Sequence, residues 1–335
     1  MAAGGWLPGA PCSPSACVRS AGGAAGGPRA VLRLAAVLAL TLAGAGLIPV
    51  LARIPAGPRD RLIRGWCRGA VRAAGVRVRV TGAAAPAGGL LLVANHISWL
   101  DIPLLAAVRP ARMLAKSEVR RWPLLGGLAA RGGTLFIERD RLRALPRTVD
   151  RIAQALREGA AVVAFPEGST WCGRAQGRFR RAVFQAALDA GAPVQPVRLR
   201  YRLAGGAAST LPAFVGDDTL LASLWRVVSA RGLVAEVRVR TPLGPGSAAD
   251  RRELALAAQR AVTGRPGPGG AGTHPGPAAP HHGLDGPRGG LRRGGAPSLR
   301  GTGIPAEGVP PGRAAAGYGV PGRAPDGRPE RTAPR

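Results

Sequence analysis

The chain has 335 residues, with 47 basic side chains against 18 acidic ones and a formal net charge of +29. All but one of the basic residues are Arg, which points to polyanions, membranes or acidic partner proteins. No zinc-finger spacing, aromatic RNA-binding signature or basic heptad accompanies the charge, so nucleic acid is not an expected partner.

Residues 1–28 are rich in Gly, Ala and Pro and are expected to be disordered. The next unit, 29–75, reads as a membrane helix followed by a basic amphipathic helix. LAAVLALTLAGAGLIPVLA (34–52) carries no charge and is just long enough to cross a bilayer. A signal peptide and a buried soluble helix are its rivals. In PRDRLIRGWCRGAVRAAG, Arg61, Arg64, Arg68 and Arg72 step by three and four, with Leu62, Ile63, Trp66, Cys67 and Ala70 opposite them. That stripe suits an anionic membrane surface, or an ordinary solvated helix face. Arg19, Arg29 and Arg33 precede the apolar run, whereas Arg53, Arg59, Arg61, Arg64, Arg68 and Arg72 follow it. The excess of positive charge after the run places the rest of the protein on the cytoplasmic face of the cell membrane.

Residues 76–264 alternate between strand and helix patterns. VRVRV (76–80), LLLVA (90–94), RMLA (112–115), TLFI (134–137), AVVAF (161–165), VQPVRLRY (194–201) and VAEVRVR (234–240) read as strands. Helical spacing joins Val149, Ile152, Ala153 and Leu156, then Phe179 to Leu188, then Leu220 to Val228 with Asp217 or Asp218 as N-cap. A last helix runs over about 249–262. The expected fold is α/β: a mixed, mostly parallel sheet flanked by helices, with the membrane-associated segment at its N-terminal side. Residues 265–335 are dominated by Gly, Pro and Arg, show no apolar period and are expected to be a disordered tail.

Ligand groups in open α/β sheets sit beyond the carboxyl ends of strands. Three polar clusters fall there: NHISWLD (95–101), ERD (138–140) and PEGST (166–170). His274, His281 and His282 lie in the tail, so His96 is the only imidazole in the folded part. If residues 97–100 turn into a helix start, Asp101 returns beside the ring, fixes its tautomer and leaves the other nitrogen to take a proton from a hydroxyl. The bland alternative is that Asn95 and Asp101 cap a helix and His96 is structural. Ser98 is too close to His96 to serve as its nucleophile, and no GxSxG elbow exists. Arg139 suits phosphate, or an ion pair with Glu138 or Asp140. Pro166 and Gly168 set a sharp turn able to show backbone N–H groups to an anion, and Glu167 could bind hydroxyls or anchor Arg139. Lys116, the single Lys, is either a compact contact for an oxyanion or phosphate or a chance survivor. Cys12, Cys17, Cys67 and Cys172 include no CxxC pair, so neither a disulfide framework nor a metal cluster is expected.

NHISWLD, GTLFIER, FPEGST and PVQPV together resemble, in order and spacing, the four blocks of the glycerophospholipid acyltransferase family. The match runs from about residue 76 to 197. The resemblance implies transfer of a fatty acyl group from acyl-coenzyme A or acyl carrier protein to the free hydroxyl of 1-acylglycerol 3-phosphate, giving phosphatidate without a cofactor or an acyl-enzyme. It makes His96 the general base and Asp101 its partner, and assigns Arg139, Glu167, Gly168 and Ser169 to the acceptor's polar group. Glu138 stands where the family usually has Asp, and Trp171, Cys172 and Gly173 replace a common Arg-Ser run. A lyso-ornithine lipid or another lysolipid is therefore an alternative acceptor. A non-catalytic Arg-rich protein of the membrane surface or of nucleic acid is the alternative of another class.

Overall fold

A computed structural model describes residues 9–19, 26–51, 53–122, 125–138 and 141–264. The tail expected over 265–335 lies outside them. A single turn, α1 (Pro14–Cys17), is followed by α2 (Gly27–Leu51) and α3 (Ala56–Ala73). Then come β1 (Arg77–Gly82), β2 (Leu90–Ala94), α4 (Asp101–Val108), β3 (Arg112–Lys116), α5 (Leu125–Arg131), β4 (Leu135–Ile137) and α6 (Leu145–Arg157). The chain continues through β5 (Ala161–Ala164), α7 (Ala182–Ala190), β6 (Val194–Leu203), α8 (Leu220–Val228), β7 (Leu233–Val239) and α9 (Arg251–Thr263).

The seven strands lie in the order β1-β7-β6-β2-β5-β3-β4. Neighbours from β6 to β4 are parallel, β6 and β7 are antiparallel, and β1 runs with β7. This is the mixed, mostly parallel sheet the alternation implies. All five residues of β2 are buried, as a central strand covered on both faces requires. Its side chains alternate between two cores. Leu90, Leu92 and Ala94 join Val163, Val197, Leu199 and Tyr201 on the face covered by α3, α4 and α8. Leu91 and Val93 join Val162 and Ala164 on the face covered by α6, α7 and α9. All four residues of the expected helical stripe of α6 (Val149, Ile152, Ala153, Leu156) are buried, with Thr148 and Ala155 beside them.

Three local expectations need correction. Thr219, not Asp217 or Asp218, caps α8: its Oγ1 accepts from the Ala222 N–H. Phe179 lies ahead of α7, which begins at Ala182, yet the ring is still buried. Within the stretch expected to be disordered, residues 9–19 are ordered against the domain. Ser13 caps α1, Cys12 and Cys17 are buried, and the Arg19 N–H donates to Thr210 Oγ1.

Helix α2 has a mean hydropathy of 2.3 over its most apolar window, and only 6% of that window is buried. Leu32, Leu38, Leu42 and Val50 stand at least half exposed. A soluble core helix would hide such residues, and a membrane-associated one need not. The helix is nevertheless fastened to the domain. Arg33 donates to the Val228 and Ala230 carbonyls. Trp66 of α3 donates from Nε1 to the Leu40 carbonyl, and Gly44 leaves room for its indole, where a Cβ would stand 2.5 Å from the ring. The inner face of α3 is formed by Cys67 and Val71, with Arg61, Arg68 and Arg72 outward.

The segment between β6 and α8 depends on one ion pair. Arg226 donates to Asp218 at 2.6 Å and to the Leu211 and Ala213 carbonyls at 3.0 and 2.9 Å. The Asp218 side chain is 4% exposed, so removing the guanidinium strands a buried charge. Arg226→Met is expected to lower the unfolding free energy by about 2–4 kcal/mol in denaturant titration. A loss below about 0.5 kcal/mol would mean that solvent reaches this pair and replaces the guanidinium.

Candidate active site

The parallel register places the carboxyl ends of β2, β5, β3 and β4 side by side along one edge. NHISWLD leaves the end of β2, FPEGST leaves β5, and Lys116 ends β3. Arg139 follows β4 but lies outside the described residues, as does Asp140. Neighbouring strands are about 4.8 Å apart, so the β2 and β5 clusters adjoin directly and Lys116 stands two strands from His96. Lys116 is exposed.

Between β2 and α4 the chain makes a tight turn, and Asp101 sits in the first turn of α4 with no exposed surface. Its carboxylate is the hub. Oδ2 accepts from the Ile97 N–H at 2.6 Å, the Ser98 N–H at 2.9 Å and His96 Nδ1 at 2.9 Å. Oδ1 accepts from the Tyr201 hydroxyl at 2.6 Å. Four donors compensate a buried charge that would otherwise be prohibitive. An ionised acceptor at Nδ1 requires the ring hydrogen there and leaves the lone pair on Nε2. The imidazole lies on Phe165, ring centroids 3.9 Å apart and planes 14° from parallel. Its side chain keeps 20% exposure. The ring is thus fixed in plane and tautomer with one edge toward solvent, and can take a proton from a hydroxyl placed at that edge.

The β5 cluster supports this loop from the other side. Glu167 is 3% exposed. Its Oε2 accepts from the His96 N–H at 2.8 Å and its Oε1 from the Gly177 N–H at 3.1 Å. Burial pushes its carboxyl up to about 8, against the pull of those two N–H groups and with the Asp101 charge adding to the rise. Both oxygens are engaged by backbone, so Glu167 braces the turn at His96. Gly168 has φ +76°, and its N–H closes the turn on the Phe165 carbonyl at 3.1 Å. Ser169 is half-buried beside it. The Trp171 N–H then donates to the His96 carbonyl at 2.8 Å, so one loop grips both backbone groups of the histidine.

Asn95 caps no helix. Its amide donates to the Leu199 carbonyl and accepts from the Leu199 N–H, extending the pairing of β2 with β6 by one side chain. Ser98 is buried, and its Oγ accepts from the Leu100 N–H, a supporting position rather than a nucleophile's. Tyr201 was not singled out in the sequence. Val197, Leu199 and Tyr201 alternate with arginines in VQPVRLRY, which puts the tyrosine on the inner face, but its partner comes from a residue a hundred positions away. Burial and the adjacent Asp101 charge hold its hydroxyl well above the usual tyrosine range, so it stays a donor. Three cysteines that share no local motif in the sequence meet in the fold. The sulfurs of Cys12, Cys17 and Cys172, all buried, lie within 4.8 Å of one another. Burial among them pushes the Cys12 thiol up to about 12.

The acyltransferase family model matches residues 77–200. The chain is 40% identical over 242 residues to the lyso-ornithine lipid O-acyltransferase of Pseudomonas aeruginosa, covering 70% of this chain and 92% of that protein. It is 38% identical over 181 residues to the 1-acyl-sn-glycerol-3-phosphate acyltransferase of Neisseria gonorrhoeae, covering 53% and 70% respectively. The crystal structure of the 1-acyl-sn-glycerophosphate acyltransferase of Thermotoga maritima superposes with a TM-score of 0.51 at 20% identity, over 69% of this chain and 94% of that one, a likeness of fold. A family model centred on the β2–β6 region and a relative matched over nearly its full length agree with the geometry of the sheet edge: the chain belongs to the glycerophospholipid acyltransferase family.

Proposed function

We propose that this protein is a membrane-associated O-acyltransferase that moves a fatty acyl group from a thioester to the free hydroxyl of a lysolipid, with His96 as general base. The observation that carries the reading is the 2.9 Å bond from His96 Nδ1 to a buried, fully satisfied Asp101, which leaves Nε2 at the open edge of the ring. The lysolipid hydroxyl gives its proton to Nε2 as its oxygen attacks the thioester carbonyl. The resulting imidazolium is stabilised by Asp101 and returns the proton to the departing thiolate. Ester bond formed and thioester bond broken balance without an acyl-enzyme. Lys116 and the FPEGST turn border the same edge, and together with Arg139, which follows β4 in the sequence, they are assigned to the acceptor's polar head. The donor is acyl-coenzyme A or acyl carrier protein, and the Arg-rich surface attracts either. The Arg excess after α2 supports a catalytic domain on the cytoplasmic face.

Lyso-ornithine lipid is the favoured acceptor, which reverses the order drawn from the motifs alone. Proteins of that activity from Pseudomonas aeruginosa and Brucella abortus are each covered over 92% of their length, the second at 34% identity. Trp171, Cys172 and Gly173, where an Arg-Ser run is common, leave room for an acceptor other than 1-acylglycerol 3-phosphate. The second reading, acylation of 1-acylglycerol 3-phosphate to phosphatidate, is supported by the 38% identity to the Neisseria protein.

His96→Ala is expected to lower kcat by about 10²–10⁴-fold while the protein stays folded. Unchanged turnover in a folded variant would end the general-base assignment. Tyr201→Phe removes one of the four donors to Asp101 and is expected to reduce kcat about 10-fold with little change in KM. A change confined to KM would move Tyr201 from positioning the pair to contacting a substrate. Membranes carrying the protein, assayed with each lysolipid against each donor, are expected to acylate lyso-ornithine lipid in preference to 1-acylglycerol 3-phosphate. The opposite preference would establish the second reading.

A further inference from the structure

Three cysteines that the acyl-transfer chemistry does not use converge behind the active-site loop. Cys12 and Cys17 flank the first helical turn, and Cys172 follows the FPEGST turn, so residues 155 or more positions apart share one locus. Cys17 and Cys172 have no exposed surface and Cys12 is 5% exposed. No disulfide joins them. Among the described residues no other element brings three potential ligand atoms together in this way.

We propose that Cys12, Cys17 and Cys172 form a three-thiolate site for a thiophilic d¹⁰ metal ion, with zinc(II) as the abundant divalent candidate and copper(I) as the monovalent one. Distance supports it. Three sulfurs bound to one zinc at about 2.3 Å stand about 3.8 Å apart in a tetrahedron, and here all pairs already lie within 4.8 Å. Closing by at most about an ångström is a matter of rotamer adjustment, whereas a disulfide needs two sulfurs at about 2.0 Å with a restricted dihedral angle. The donor set is the soft one that selects such ions over calcium or magnesium. The backbone N–H of Cys172 is directed at the sulfur of Cys12, the outer hydrogen bond that a coordinated thiolate ordinarily receives. Cys12 is held in place from behind: Gly216, at φ +62°, lies so close that a Cβ there would stand 3.0 Å from the Cys12 carbonyl oxygen. Zinc binding displaces up to three thiol protons and involves no redox change. With three protein ligands, one position remains for a solvent molecule.

The ion would rivet the segment ahead of α2 to the loop that grips the histidine. Cys172 directly follows Trp171, whose N–H bonds the His96 carbonyl. The site belongs to this chain's architecture and does not depend on which lysolipid is acylated, or on acyl transfer at all.

The test uses the full-length protein, purified in detergent without chelator. Elemental analysis is expected to find zinc and copper summing to one equivalent per chain. Cobalt(II) added to the metal-stripped protein is expected to give the intense near-ultraviolet sulfur-to-cobalt charge-transfer band, which the tail histidines cannot produce. Cys172→Ser and the Cys12→Ser, Cys17→Ser double variant should each lose the band and the bound metal, and Cys67→Ser should keep both. Stripping the metal should speed tryptic cleavage after Arg19 while circular dichroism stays native. Wild-type protein of native circular dichroism that holds no metal and yields no cobalt–sulfur band would overturn the proposal, whatever the variants do. So would a disulfide between two of the three cysteines in protein isolated anaerobically under reducing conditions.

Discussion

Everything at the sheet edge is organised by one buried carboxylate. Asp101 has no contact with solvent, and each of its four donors comes from a different position: two backbone amides of the turn, the His96 ring and the Tyr201 hydroxyl of β6. A buried charge tolerates neither a missing donor nor a misplaced one. The turn must therefore wrap, the ring must present Nδ1, and β6 must lie beside β2 in its observed register. Orientation of the imidazole follows from the cost of leaving Asp101 unsatisfied. On the proposed mechanism the same carboxylate would also stabilise the imidazolium, so one interaction would serve both folding and chemistry.

A second layer holds the histidine's backbone. Glu167 takes its N–H, and Trp171 supplies a donor to its carbonyl. These partners leave β5, the strand adjacent to β2. Parallel pairing is what makes this possible, because it brings the carboxyl ends of successive strands to the same edge. The stacked Phe165 ring belongs to the same strand end. Motif residues that look like a substrate-binding signature in the sequence are thus divided in the structure. Glu167 is turned inward to brace, while Gly168 and Ser169 shape the turn around it.

Much of this was legible in the sequence. Every strand could be placed because apolar runs such as LLLVA and AVVAF are bounded by turn residues, and the five-residue spacing allows the His96–Asp101 pairing that the family resemblance implies. What escaped shares one cause: dependence on contacts between distant residues. Tyr201 could be assigned to the inner face of its strand but not to Asp101. Asn95 looked like a cap because short-range capping is common, whereas its partner is the backbone of Leu199. The cysteines showed no local motif because α1 and the loop after β5 meet only in the fold. The Gly- and Pro-rich start reads as disorder by composition, and composition is blind to four residues that pack against a finished core. Thr219 takes the cap expected of Asp217 or Asp218, and Asp218 pairs with Arg226 instead.

Helix α2 carries a further implication. It is not a tether. Arg33 is pinned to the carbonyls at the end of α8, and the Trp66 indole is keyed into the notch at Gly44. Among the described residues, these contacts fasten the helix to the body at two separate points along its length. In a bilayer such an anchor would carry the histidine at one height above the lipid, and a lysolipid would meet it by sliding sideways rather than by being scooped out. On the proposed mechanism, selection among acceptors would then be partly a matter of altitude: a hydroxyl riding at the level of His96 would react, and one seated deeper or shallower would pass beneath or beside it.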